Sequence, residues 1–205
     1  MSKLGQAKIL GGIGALLSLL TIVPTIGFLL GIVGLVLIFI AVKYIADETK
    51  NHNIFQNYLM NFLFSIIAIV AIIVIMIMSF GVSGGMSWVN SLQEQNFTDP
   101  GAFWNSFGTL IGGCILALFV AWILLIISSL YLRKSYNSIA EHTKVDLFKT
   151  TGLVYFIGAI TLIVIIGVFI IIIAKILEIV AFFSLPETLP ATPEPPKTET
   201  TVETV

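Results

Sequence analysis

Three apolar runs free of any charged residue constrain this chain more than any other feature: Phe62–Phe80, Leu110–Leu132 and Leu153–Ala174. A helix rises about 1.5 Å per residue, so about 20 apolar residues cross the roughly 30 Å hydrocarbon core of a bilayer. Each run meets that requirement and predicts a spanning helix. Of the 205 residues, 58% are apolar and 10% charged, whereas soluble domains carry about 25% charged residues. Mean hydropathy is +1.07. Too little polar surface remains to clothe a water-facing fold, and the lipid bilayer is the expected partner.

The N-terminal run, Ile9 to Val42, is uncharged throughout and too long for one span. Thr21, Pro24 and Thr25 interrupt it. Proline removes a backbone donor and clashes with the preceding turn, so the run reads as a helical hairpin of about Leu4–Val23 and Ile26–Val42. One kinked span is the alternative. Basic residues collect on cytoplasmic loops. The connections Lys43–Asn61 and Arg133–Thr150 carry Lys43, Lys50, Arg133, Lys134, Lys144 and Lys149, whereas Gly81–Phe107 holds Glu94 and Asp99 without Lys or Arg. A hairpin also places Lys3 and Lys8 inside.

The expected fold is therefore all-α, a polytopic transmembrane helical bundle over residues 1–184. It has five spans, an N-terminal hairpin plus three long helices, with four as the alternative. The expected location is the cell (cytoplasmic) membrane, multi-pass, with the N terminus inside and the C terminus outside. The first apolar run far exceeds a signal peptide's core, so the first helix is expected to remain. Residues 185–205 hold Pro186, Pro190, Pro193, Pro195 and Pro196 among Thr and Glu, a composition expected to form a disordered tail.

The two inner loops share a pattern. Ile45-Ala46-Asp47-Glu48-Thr49-Lys50 with Ile54-Phe55 lies against Ile139-Ala140-Glu141-His142-Thr143-Lys144 with Leu147-Phe148. This suggests parallel helix–loop–helix repeats at about 26–80 and 108–174, with chance and shared loop chemistry as the other explanation.

Further motifs carry a resemblance: Leu10-Gly11-Gly12-Ile13-Gly14-Ala15-Leu16, Gly31-Ile32-Val33-Gly34-Leu35, Lys43 to Asp47 and Asn53-Ile54-Phe55. Arg133-Lys134-Ser135-Tyr136, Phe148, Gly152 to Ala159 and Ala181 to Pro186 continue it. Through these the chain resembles a family of small integral membrane proteins of archaea and thermophilic bacteria, a domain of unknown function. The resemblance implies a membrane location and no known activity.

Candidate functional residues are few. Gly27, Gly31 and Gly34, and again Gly108 and Gly112, repeat at one-turn spacing. Small residues let helices approach closely, either within the bundle or at the seam of a homo-oligomer or a membrane protein partner. Lys175 and Glu178 are the only charges near the last apolar run. After a 22-residue span they are expected as an interfacial pair that snorkels outward, with Phe182 and Phe183 against headgroups. Mild polar groups in the spans, among them Ser18, Ser65, Ser128, Ser129 and Thr161, provide no coupling carboxylate.

Nucleic acid is excluded as a partner, because net charge is −1 and no basic cluster exists. Cys114 is the only cysteine, expected as a packing residue. His52 and His142 with nearby carboxylates could be drawn as a metal site, but solvated loop residues are the default. No metal, cofactor or catalytic motif is expected, and no enzyme. The outer loop places Met86, Trp88, Val89 and Leu92 at helical spacing with Trp104 beyond, an interfacial helix in expectation. Asn96-Phe97-Thr98 forms a sequon there. The expected function is a non-enzymatic structural or accessory membrane component, the alternative a passive channel or small-solute transporter.

Overall fold

The computed structural model describes residues 2–82 and 100–190, and among these the only regular structure is helical. Helices α1 (Lys3–Leu19), α2 (Gly27–Glu48), α3 (His52–Val82), α4 (Pro100–Thr143), α5 (Leu147–Thr161) and α6 (Ile166–Phe183) follow in order, with 3₁₀ turns at Leu20–Ile22 and Leu162–Val164. Five segments are long and apolar enough to cross a membrane: Gly27–Glu48, His52–Gly81, Leu110–Thr143, Leu147–Val164 and Ile166–Phe183. The expected outer interfacial helix and the sequon lie outside the described residues.

The membership of the five differs from the expectation in two places: α1, expected as the first span, is not among them, and the last expected span is divided. Leu153–Ala174 is not one helix but a second hairpin, α5–α6, which reverses at Leu162–Ile165. Hydropathy could not reveal this turn, because the residues that make it are Leu, Ile and Val. The reversal depends on glycine. A Cβ on Gly167 would strike the Gly158 carbonyl and the Leu162 backbone, so the two helices touch through bare backbone. Trp122 of α4 donates its indole N–H to the Ala159 carbonyl at 3.0 Å, occupying an acceptor that the end of α5 leaves free.

The N-terminal hairpin closes in the same way. Thr25 (φ 75°) precedes Gly27 here, as Ile165 (φ 66°) precedes Gly167 there, and Thr21 and Thr161 each stand six positions before the glycine. A Cβ on Gly34 would lie 2.5 Å from the Gly14 carbonyl oxygen and 2.7 Å from Ser18 N. Gly27 and Gly31 likewise face Thr21. Gly108 and Gly112, by contrast, meet no atom within 4 Å; on that helix it is Gly113 that faces Ser79 of α3.

The loops between hairpins are built alike. Lys50 (φ 53°) ends α2 and Lys144 (φ 59°) ends α4, each in the left-handed conformation that closes a helix. Thr49 and Thr143 each donate to the carbonyl four residues back, Ile45 and Ile139, at 2.8 Å. Those isoleucines are fully buried.

The first and last helices run antiparallel. Phe182 is buried against Gly11, Lys175 reaches Ser18, and the Ser2 hydroxyl donates to the Glu187 carbonyl. The start of α1 and the end of α6 therefore share one end of the bundle, not opposite ends as expected. The additional reversal at Leu162–Ile165 supplies the sixth helix that brings the chain back. Phe182 is correspondingly a core residue that stacks edge-on against Phe148, with ring centroids 5.1 Å apart, rather than a headgroup contact. Leu185 is buried and Leu189 packs against the core, while residues 191–205 of the expected tail lie outside the described residues.

Gly34→Val should lower the melting temperature of the purified protein in detergent, corresponding to about 1–3 kcal/mol, because backbone must move to admit the side chain. Gly112→Ala should stay within about 0.5 kcal/mol of the parent. Equal losses in both would contradict the close approach at Gly14 and Gly34.

Candidate functional site

Restarting the helix at Ile166 moves Lys175 and Glu178 from beyond a span into the body of α6. The pair thus sits within a helix and not beyond the end of one. Glu178 is 2% exposed, in a bundle where a lone carboxylate would cost several kcal/mol, so its oxygens must be met by donors. They are. Tyr136 of α4 donates its hydroxyl to Oε1. Tyr155 of α5 donates to Oε2 at 2.7 Å, and Lys175 Nζ lies 3.0 Å from the same oxygen. The ammonium also donates to Ser18 Oγ of α1 at 3.1 Å and stands 5.6 Å from the Tyr155 ring centroid. Tyr58 of α3 stacks on Tyr136 with centroids 6.5 Å apart.

A second polar group adjoins the first. Ser128 of α4 donates to Asn61 Oδ1 of α3 at 2.7 Å, and its hydroxyl is 2.8 Å from that of Ser65. Between the two groups lies a cavity of about 240 Å³ bordered by Tyr58, Asn61, Ser128, Tyr155, Lys175 and Glu178. A separate groove of about 330 Å³ between α1 and α6 is lined by Ser18, Leu19, Leu162, Val168, Ile171, Ile172 and Lys175. Leu162, Ile171 and Lys175 border both spaces.

The other expected residues are placed apart from this site or at its edge. Ser129 borders the cavity but donates to Ile126 on its own helix. Thr161 donates to Ile157 on its own helix and does not border the cavity, whereas Ser65, Ser128 and Ser129 do. The Cys114 thiol contacts Met76 sulfur at 3.5 Å. His142 Nδ1 is 2.8 Å from the Ser138 carbonyl oxygen, and among the described residues no three His, Cys, Asp or Glu side chains gather in a way that could hold a metal.

Tyr58, Tyr136, Tyr155 and Asn61 are the functional candidates that sequence reasoning missed. Each lies near the charged end of an apolar run, where a tyrosine or asparagine reads as an interface residue. The available signal was the Thr-x₅-Gly spacing shared by Thr21–Gly27 and Thr161–Gly167. Had it been taken as a turn signal at both places, Glu178 would have fallen inside a helix facing the others.

Lys175→Met leaves the Glu178 carboxylate without its cation and should cost about 3–5 kcal/mol. The Lys175→Met, Glu178→Met double substitution should cost less than Lys175→Met alone, measured by thermal unfolding as a double-mutant cycle. Additive losses would mean that the two side chains do not interact in the folded protein.

The family match begins within α2 and ends within α6. Residues 30–176 match the family model described as a protein of unknown function, DUF996. The chain is 38% identical over 187 residues to an uncharacterized protein of Methanocaldococcus jannaschii, covering 91% of this chain and 96% of that relative. No solved structure gives a significant match.

Proposed function

This chain belongs to the DUF996 family of proteins of unknown function, and we propose that it is a non-enzymatic channel or transporter for a small polar solute. The observation that carries this reading is the cavity bordered by Lys175 and Glu178. Charged side chains inside lipid-length helices are costly and usually serve ion or solute pathways. The hydrogen-bonding capacity left over is mostly of donor type: among the described residues, the Tyr58 hydroxyl and the Asn61 amide have no protein partner. A solute with acceptor oxygens fits that set.

In proteoliposomes, the protein should pass small oxygen-bearing solutes faster than empty vesicles do. Ser128→Leu, which places an aliphatic side chain at the cavity wall, should reduce that flux at least about tenfold, since it leaves the Asn61 acceptor unpaired and blocks the space. Folded protein without flux for ions or small neutral solutes would overturn the reading.

The accessory role, with a homo-oligomer or another membrane protein as partner, is favoured by the open faces of Gly108 and Gly112 on α4, where a further helix could approach closely.

We also propose that the basic end of the bundle faces the cytoplasm. Lys50, Lys144, Lys3 and Lys8 occupy that end, and such clustering follows the rule for inner loops. Because Ser2 contacts Glu187, position 187 then faces the cytoplasm as well. In a Cys114→Ser background, Ser2→Cys, Lys50→Cys and Glu187→Cys should react with a membrane-impermeant maleimide from the same side. Labelling of position 187 from the side opposite to position 50 would contradict it.

A further inference from the structure

The groove between α1 and α6 has a chemical polarity that passage of a solute does not use. Its walls are aliphatic, Leu19 on α1 and Val168, Ile171 and Ile172 on α6, and the only charge lining it is the ammonium of Lys175. Its volume of about 330 Å³ is in the range of small-molecule sites, about 300–1,000 Å³. An aliphatic channel with one cation at one end is complementary to a hydrocarbon chain bearing one acidic group.

We propose that this groove binds a single-chain amphiphile with an anionic head, the head on Lys175 and the chain along Val168, Ile171 and Ile172. The ammonium has three N–H donors. Glu178 and Ser18 take two, which leaves one for the head group. Glu178 is not among the residues that line the groove; it borders the adjoining cavity, and Tyr136 and Tyr155 already donate to it.

The direction of the groove also matches a lipid. From Lys175 it runs towards Leu162, at the turn of the α5–α6 hairpin. That turn lies just beyond Ala159, which accepts from Trp122, a residue near the middle of the charge-free run Leu110–Leu132. A chain in the groove therefore extends from the basic end of the bundle towards the bilayer centre, as the chains of that leaflet do. The limited volume favours one chain over two.

This inference stands apart from solute passage and is tested by retention rather than flux. The full chain, purified in detergent, is incubated with oleate or with dioleoylphosphatidylglycerol and examined by native mass spectrometry. One oleate per chain should be retained, with the two-chain anionic lipid retained at least about tenfold less. Lys175→Met should abolish oleate retention. Ile172→Trp, which keeps the ion pair and fills the groove, should reduce it about tenfold, and it provides the answer if Lys175→Met does not fold. Lys149→Met, a charge loss outside the groove, should retain oleate as the parent does. Oleate retention unchanged by Ile172→Trp, or equal retention of the two-chain lipid, overturns the proposal. Flux lost with oleate retained would overturn the channel reading and leave this one intact.

Discussion

One buried carboxylate organises this bundle. Glu178 cannot remain charged in an apolar interior unless donors surround it, and the donors come from separate helices: Tyr136 from α4, Tyr155 from α5 and Lys175 from its own helix. Lys175 in turn holds Ser18 of α1. Glu178 and Lys175 together thus tie four helices, α1, α4, α5 and α6. Apolar contacts between helices in lipid have no hydrophobic drive of their own, because the lipid tails are equally apolar, so close packing and polar pairs must specify the arrangement. Phe148 and Phe182 fill the space beside this cluster edge to edge, and Tyr58 extends it to α3.

Close packing supplies the second specification. In both short hairpins a glycine brings backbone against backbone, Gly34 against Gly14 and Gly167 against Gly158. Both turns combine a 3₁₀ segment with a residue at positive φ two positions before a glycine in the first turn of the returning helix. In the second turn that residue is Ile165, a β-branched side chain in a conformation it rarely adopts. Strain of that kind persists where the surroundings over-determine it, and here α5 is tied to Trp122 while α6 is tied to Glu178 and its partners.

Most of the architecture was legible in the sequence because charge-free length is a strong signal. The runs Phe62–Phe80 and Leu110–Leu132 lie inside α3 and α4, and the N-terminal hairpin was announced by Pro24 with two threonines. The second hairpin was not legible by hydropathy, since Leu162 to Ile166 contains no polar residue, glycine or proline. That single omission carried the rest with it. It placed Lys175 and Glu178 beyond the end of a helix, put the start of α1 and the end of α6 at opposite ends of the bundle and turned Phe182 into a headgroup contact. The serines were legible as mild polar groups, but their meeting with Asn61 and the tyrosines depends on tertiary placement that periodicity does not encode.

The pairing of the first helix with the last has a consequence for how the chain is made. Ser18 and Lys175 are separated by 157 positions, and Ser2 and Glu187 by 185. At about 5–20 residues per second of synthesis, the first hairpin waits on the order of ten seconds in the membrane before its polar partner exists. During that interval the face of α1 that carries Gly11, Gly12 and Ser18 has neither Phe182 nor Lys175 against it. The α5–α6 hairpin is the last to be made and the piece that closes the bundle, so the protein acquires its buried ion pair, its cavity and its groove together, in one late step of biogenesis.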